Sequence, residues 1–351
     1  MKTTNKITIM ILLLMLAIGM KGGTINEYTR VIKKEFNVNP DAQLTVSNKF
    51  GQIHCANWDK NVVSIEIKVI VEAANDNTAA KMLEKINVNF NGTASLVEAT
   101  TVLEEMKTSG KSRFQIDYLI NMPVGMSIDF TNKFGDIYVC EASGKARINL
   151  SYGNLEINKL NNSDNLIDLK FCGSGKIKSM KGAVVNLKYS TLEVDYAGSI
   201  RLDSKFSNLS ADKIIALNMA FEGGALDVRN SSTVESRSKY SEMDFERVEQ
   251  SLNLDIQYGS CSVSNMGPDF TSISIKNRYA DVDVRLNETS VYTLDAAMRY
   301  CELSFPENNS VLNYRSVTST SSEFRGVVGS KEAKPKASVM IRSDYGSVSL
   351  R

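Results

Sequence analysis

The sequence predicts an all-β fold: a parallel β-solenoid, β-helix-like, of about twelve short coils, with a β-rich N-terminal cap region that holds one short helix. Three observations predict it. A short motif, an aromatic residue followed by a small one, recurs along most of the 351 residues. Alternating apolar and polar residues precede most copies, which is the period of a strand with one buried face. The composition suits many strands joined by polar turns, with 42% apolar residues, only five prolines and abundant Asn and Ser.

The first element is an expected export signal over residues 1–19. Lys2 and Lys6 form a basic start, Ile7 to Ile18 is almost wholly apolar, and Ala17-Ile18-Gly19 offers small residues for cleavage. The apolar run is short against the roughly 20 residues a spanning helix needs. No later segment reads as transmembrane, so the mature chain is expected to lack one.

Residues 20–125 form the expected cap region. Strands are predicted over 28–38, 43–47, 62–72, 86–90, 94–103 and 114–121. The segment 76–85 reads as a helix, with Ala79, Ala80, Met82, Leu83 and Ile86 apolar and Asp76 near its start. Met122-Pro123-Val124-Gly125 breaks the pattern and marks the boundary.

Residues 126–351 form the expected solenoid. The clearest copies are Phe134-Gly135-Asp136-Ile137-Tyr138-Val139, Tyr152-Gly153-Asn154-Leu155-Glu156-Ile157 and Tyr258-Gly259-Ser260-Cys261-Ser262-Val263, and Tyr345-Gly346-Ser347-Val348 ends the chain. Others start at Tyr189, Phe206, Tyr240, Tyr279 and Tyr300; those at Phe171 and Phe221 carry extra residues, and Ser321-Ser322-Glu323-Phe324 is degenerate. An isolated early copy begins at Phe50. With the aromatic as position zero, positions −2, 0, +3 and +5 are expected to point inward. Side chains alternate along a strand, so this parity demands a bend, expected at +1 and +2, where small residues ease tight geometry.

Serial aromatic–Gly–x–aliphatic corners, the Phe36-Asn37-Val38 segment, Phe50-Gly51-Gln52-Ile53 followed by Trp58, and the long 62–71 strand together resemble the bacterial "putative adhesin" family of exported envelope proteins. The resemblance covers most of residues 28–351. It implies a β-solenoid fold and a place in the cell envelope; its motifs are structural, so it assigns no functional residues.

The bulk numbers and motifs exclude several chemistries. A net charge of +1 offers no basic field for nucleic acid. The single histidine, His54, leaves no histidine-rich metal site and is expected to be a solvated strand residue at +4, and no phosphate loop, nucleophile elbow or dinucleotide fingerprint occurs. The five cysteines, Cys55, Cys140, Cys172, Cys261 and Cys301, lack metal-ligand spacing and are expected to be free core thiols. No cofactor is expected.

What the repeat does place in register is charge. Position −1 holds Lys133, Lys170, Lys188, Lys205, Lys239, Arg278 and Arg299, with Lys49 in the early copy: a candidate basic ladder facing ligand. Position +4 holds Glu156, Glu193, Asp227, Asp244 and Asp283, an acidic ladder. The expected function is an exported, non-catalytic cell-envelope protein, adhesin-like or a structural binding rod, located in the periplasm, at the cell surface or secreted. Its expected partner is an anionic polysaccharide or another envelope protein. The alternative is a β-helix carbohydrate-active enzyme using surface carboxylates.

Overall fold

The computed structural model describes residues 12–14, 25–105, 112–330 and 334–351. The predicted export signal lies outside them apart from a three-residue strand, Leu12–Leu14. The described chain is nearly all β, with one short helix and mostly parallel pairing in a mixed sheet. It divides into two compact units, one ending at Gly173 and one starting at Ser174.

In the first unit the layers have two arms, which meet at an aromatic corner in every layer but that of residues 96–123. The arms before the corner are Leu96–Leu103, Gln43–Lys49, Ser127–Lys133, Ala146–Ser151 and Asn165–Lys170, all parallel and paired in that order. The arms after it are Arg113–Pro123, Ile53–Trp58, Ile137–Ala142 and Leu155–Leu160, again parallel and in order. The inward side chains, such as Leu44, Val46, Phe130, Ile148 and Leu150 on one arm and Ile53, Val139 and Ile157 on the other, are buried. Apolar alternation on both arms drives this, because each layer covers the next and a lone layer could bury nothing.

Layer order departs from chain order. The Phe50 copy, which looks isolated in sequence, sits between the layer of residues 96–123 and that of residues 127–142. The N-terminal strand Asn26–Asn37 runs antiparallel to Val62–Ala73, which runs antiparallel to Arg113–Pro123. Ile86–Gly92 likewise covers Leu96–Leu103. The helix Asp76–Glu84 starts at Asn75, whose side chain accepts a hydrogen bond from the Thr78 amide at 2.9 Å. Antiparallel strands thus close the first parallel layer, whose bare edge would otherwise template further pairing.

In the second unit, Gly175–Lys188, Thr191–Lys205 and the long run Asn208–Val263 pair parallel in register, and Ser272–Val284 follows. The sequence suggests that the C-terminal copy is the last layer. Instead, Ala337–Leu350 is inserted between Ser272–Val284 and Tyr292–Ser304, parallel to both. The degenerate copy at Ser321 is not a coil either. Ser321–Val328 runs antiparallel to Tyr292–Ser304 and to Ser310–Val317, so a hairpin covers the last parallel strand.

The corner itself corrects two expectations. Position zero does not point inward: all eleven corner aromatics are exposed, from 36% at Phe50 to 64% at Tyr240. The bend also starts earlier than expected: it begins at the aromatic, whose φ falls between 50° and 62° in every case, the left-handed region, and it continues through +1 at Gly224, Gly259 and Gly346, with φ 109°, 144° and 135°. Among the described residues, every non-glycine with positive φ is one of these aromatics. One left-handed residue places −1 and 0 on the outside in succession and shifts the parity, so that −2, +1, +3 and +5 face in. The expected inward positions −2, +3 and +5 are buried as predicted at Leu150, Leu155 and Ile157.

The copy at Phe221 is also re-read. Ser204 pairs with Phe221 and Lys205 with Glu222, so Phe221 occupies −2 and is buried. Its corner is Gly223, at φ 69°. That coil carries no extra residues; its corner simply lacks an aromatic.

Small residues at +1 are set by contact between layers. A Cβ on Gly153 would lie 2.1 Å from the Gly135 carbonyl oxygen, which belongs to the backbone of the adjacent layer. Gly153→Ala is therefore expected to destabilise the protein by about 2 kcal/mol or more in urea unfolding. Gly173→Ala, where a Cβ would meet nothing within 4 Å, should stay within about 0.5 kcal/mol of the parent. Equal effects at the two sites would contradict the layer contact.

Candidate functional site

The repeated corner brings together three outward columns: the aromatic rings, the −1 residues beside them and the +4 residues beyond. Its backbone is tightly held. In the first unit the corner amides of Phe50, Phe134 and Tyr152 donate to the −1 carbonyls of Lys133, Ser151 and Lys170 in the next layer, at 2.9, 3.0 and 3.1 Å. The parallel ladder therefore runs through the corner without a break.

Buried side chains brace it from inside. At −2, Asn132 donates through Nδ2 to the Gly51 carbonyl at 2.7 Å, and Asn48 donates to the Ile116 carbonyl at 2.9 Å. Asn277 spans its own corner, donating to the Ala280 carbonyl at 2.7 Å and accepting from the Ala280 amide at 3.2 Å. At +1, the hydroxyls of Ser190, Ser207 and Ser241 donate back to the −1 carbonyls of Lys188, Lys205 and Lys239, at 2.9, 2.8 and 2.7 Å. These polar groups are buried yet satisfied and so stabilise the corner, whereas the buried −2 hydroxyls of Ser204 and Ser238 have no hydrogen-bond partner among the described residues.

The rings stack from layer to layer. In the first unit Phe50, Phe134, Tyr152 and Phe171 follow one another at centroid distances of 5.2, 5.1 and 5.0 Å. In the second, Tyr189 meets Phe206 at 5.4 Å. Tyr240, Tyr258, Tyr279, Tyr345 and Tyr300 form a run with spacings of 5.1, 5.1, 4.8 and 5.0 Å. Within such a run each ring stacks on its neighbours and part of its face is covered; Tyr279, stacked on both sides, is 47% exposed and the terminal Tyr300 58%.

The structure places the predicted basic residues in the −1 column, all exposed. Lys49 and Lys133 are direct neighbours, as are Lys188 and Lys205. Lys133 Nζ lies 4.9 Å from the Phe134 ring centroid, and Lys188 Nζ lies 6.0 Å from that of Tyr189. Elsewhere the column is interrupted. Lys205 meets Glu222 at 3.7 Å, and Arg299 makes a two-pronged contact with Asp344, at 2.5 and 2.8 Å. Asp344 lies between Arg278 and Arg299, and the Arg299 guanidinium beside it holds its carboxyl below the usual carboxylate range. Ser151 and Gln257 occupy the same position without charge.

The +4 column is also mixed. Glu193 pairs with Lys176 at 3.0 Å, and Asp283 with the Arg351 guanidinium at 2.6 Å. Glu156, Asp227 and Asp244 are exposed. His54 lies in this column, stacked on Tyr138 at 4.4 Å. Among the described residues, no group of three His, Cys, Asp or Glu side chains is arranged to hold a metal ion.

Sequence reasoning missed the exposed aromatic column, because an aromatic beside an alternating run reads as core. The charged residue at −1 gave no warning, because plain alternation with an inward aromatic places it outside as well.

No disulfide joins the five cysteines to one another; Cys55, Cys172 and Cys261 are buried. Burial pushes the Cys55 thiol up, and that of Cys261 up to about 12. In the native protein at pH 8, a thiol reagent such as DTNB should modify only Cys140 and Cys301, and all five in urea. Rapid native labelling of Cys261 would contradict this placement.

No protein-family model matches the sequence, and no curated protein matches it. Among solved structures, the chain is similar to bacterial adhesion-type proteins. One is a putative cell adhesion protein from Clostridium sporogenes, 10% identical, with 93% of this chain and 99% of that one covered and a TM-score of 0.21. Another is a putative adhesin from Parabacteroides distasonis, 9% identical, with 92% and 97% covered and a TM-score of 0.31. A putative lipid binding protein from Parabacteroides distasonis is 10% identical, with 92% and 96% covered and a TM-score of 0.23. These likenesses say nothing about the ligand of this chain. Its structural neighbours are nonetheless bacterial putative adhesins, with about 92% of the chain covered.

Proposed function

We propose that this chain is an exported, non-catalytic binding protein of the cell envelope, whose repeats wind as β-solenoid coils and whose corner columns contact an acidic polysaccharide. The observation that carries the reading is the register of the −1 column. Parallel pairing sets Lys49 beside Lys133, and Lys188 beside Lys205, at the strand spacing of about 4.8 Å. Ammonium groups repeated at that interval suit an extended chain of carboxylates or sulfates running across the layers.

The same column explains why affinity should be modest. Glu222 and Asp344 sit among the cations and compete with a polyanion for Lys205, Arg278 and Arg299. Exposed pairs of this kind are individually weak and salt-sensitive. A reading as a glycan-cleaving enzyme draws less support, because Glu193 and Asp283 are each held by a cation and the +4 carboxylates are spread over successive layers.

The test is binding of residues 25–351 to alginate, polygalacturonate and dextran sulfate at 50 and 300 mM salt. Binding is expected to fall with salt. It should weaken roughly tenfold in a Lys49→Ala, Lys133→Ala, Lys188→Ala, Lys205→Ala variant, and strengthen in Asp344→Asn, which frees the Arg299 guanidinium and removes a negative charge beside Arg278. Binding that is indifferent to both changes would overturn the role of the column.

A further inference from the structure

We infer that the break in the aromatic column at Gly223 is a ring-binding notch, in which the uncovered face of Tyr240 takes one pyranose ring of a glycan. The inference deepens the glycan-binding reading above and rests on it.

Three observations place the notch. First, Gly223 holds the corner position between the layers of Phe206 and Tyr240. Arg229 shows the layer order: it reaches Asp212 in the Phe206 layer at 2.6 Å and Glu246 in the Tyr240 layer at 3.7 Å. Second, the rings flanking the gap are among the most exposed of the column. Tyr240 is 64% exposed and Phe206 55%, against 42% for Tyr258 and 48% for Tyr189 within their stacked pairs. Third, an open groove of about 560 Å³ runs beside the gap, lined by Asn208, Gly224, Ala225, Tyr240, Glu242 and Tyr258.

Geometry fixes the size of the occupant. Two layers separate Phe206 from Tyr240, about 10 Å by strand spacing, which is room for one ring. The Phe206 ring already leans over Gly223, where a Cβ would meet its Cδ1 at 2.9 Å. The face left for a ligand is therefore that of Tyr240. Rings stacked on both sides, such as Tyr258 and Tyr279, offer less open face; Tyr300, 58% exposed at the end of its run, is another ring of comparable exposure.

Chemistry favours a sugar over an aromatic guest. The notch is bordered by the charged side chains of Glu222, Lys239 and Glu242, all exposed. Carboxylates accept and an ammonium donates, which suits the hydroxyls around a pyranose rim while the ring face lies on Tyr240. A purely aromatic ligand would bring nothing to satisfy these groups.

The natural control is built into the repeat. Gly223 has φ 69°, close to the 50–62° of the corner aromatics, so Gly223→Tyr places a tyrosine in a conformation the fold already uses eleven times. Only the flexible Phe206 ring must shift. Gly223→Tyr and Tyr240→Ala would be compared with the parent and with Tyr279→Ala, which alters a ring stacked on both sides. Saturation-transfer NMR with methyl β-D-glucopyranoside, methyl β-D-galactopyranoside and N-acetylglucosamine, with indole as the aromatic probe, gives the readout. Thermal melting confirms that each variant is folded.

At least one glycoside should bind the parent and Tyr279→Ala, and lose roughly tenfold or more in affinity in Gly223→Tyr and Tyr240→Ala. Glycoside binding unchanged in folded Gly223→Tyr would overturn the notch while leaving the polyanion reading intact. Indole binding with no glycoside binding would overturn the sugar assignment. Absence of both glycoside and polyanion binding would overturn the notch and the glycan reading together.

Discussion

The structure depends on one corner residue per repeat held in the left-handed region, which is aromatic everywhere but at Gly223. A left-handed non-glycine residue costs on the order of 1 kcal/mol. Glycine would avoid the cost, and Gly223 does so. The other eleven corners keep Phe or Tyr. Offset-stacked aromatic pairs contribute about 0.5–1.5 kcal/mol beyond area burial, so a ring stacked on both sides offsets its own strain. The stack also favours register: a layer that slipped by one residue would lose its ring contact, its buried face and its continuous ladder together.

That arrangement constrains where function can lie. Stacking covers part of the ring faces, so the aromatic column is mainly a structural spine. What it offers to a partner is position. The −1 residues stand beside it at the strand spacing, and in two places cations are direct neighbours. Acidic rungs at Glu222 and Asp344 limit the charge, and the column is therefore a patterned surface and not a uniform basic field. The ends are treated alike in both units. Antiparallel strands cover the last parallel edge, and a segment distant in sequence is inserted one layer in.

Much of this was legible in the sequence, for identifiable reasons. Strict alternation located the strands of the N-terminal region to within a few residues, and Asp76 before Ala79 and Met82 marked the helix. The inward positions −2, +3 and +5 followed from parity. The aromatic did not, because apolar character suggests burial, and stacking between layers has no trace in any single repeat. Phe221 misled for the same reason: it is a true core aromatic at −2, two residues before the real corner. The inserted layers of Phe50 and Tyr345 were hidden because chain order says nothing about which edge a distant strand joins. Of the candidate site, the −1 and +4 columns could be enumerated from the repeat. Their partners, Glu222 and Asp344 above all, needed the register between layers.

The most direct test of the corner is chemical access to its rings. Native protein treated with tetranitromethane and mapped by mass spectrometry should be nitrated at Tyr152, Tyr189, Tyr240, Tyr258, Tyr279, Tyr300 and Tyr345, all of which are exposed. Tyr118 and Tyr292, fully enclosed in the core, should be protected until the protein is unfolded. Protection of the corner tyrosines in the folded protein would contradict the outward, left-handed aromatic on which the account rests.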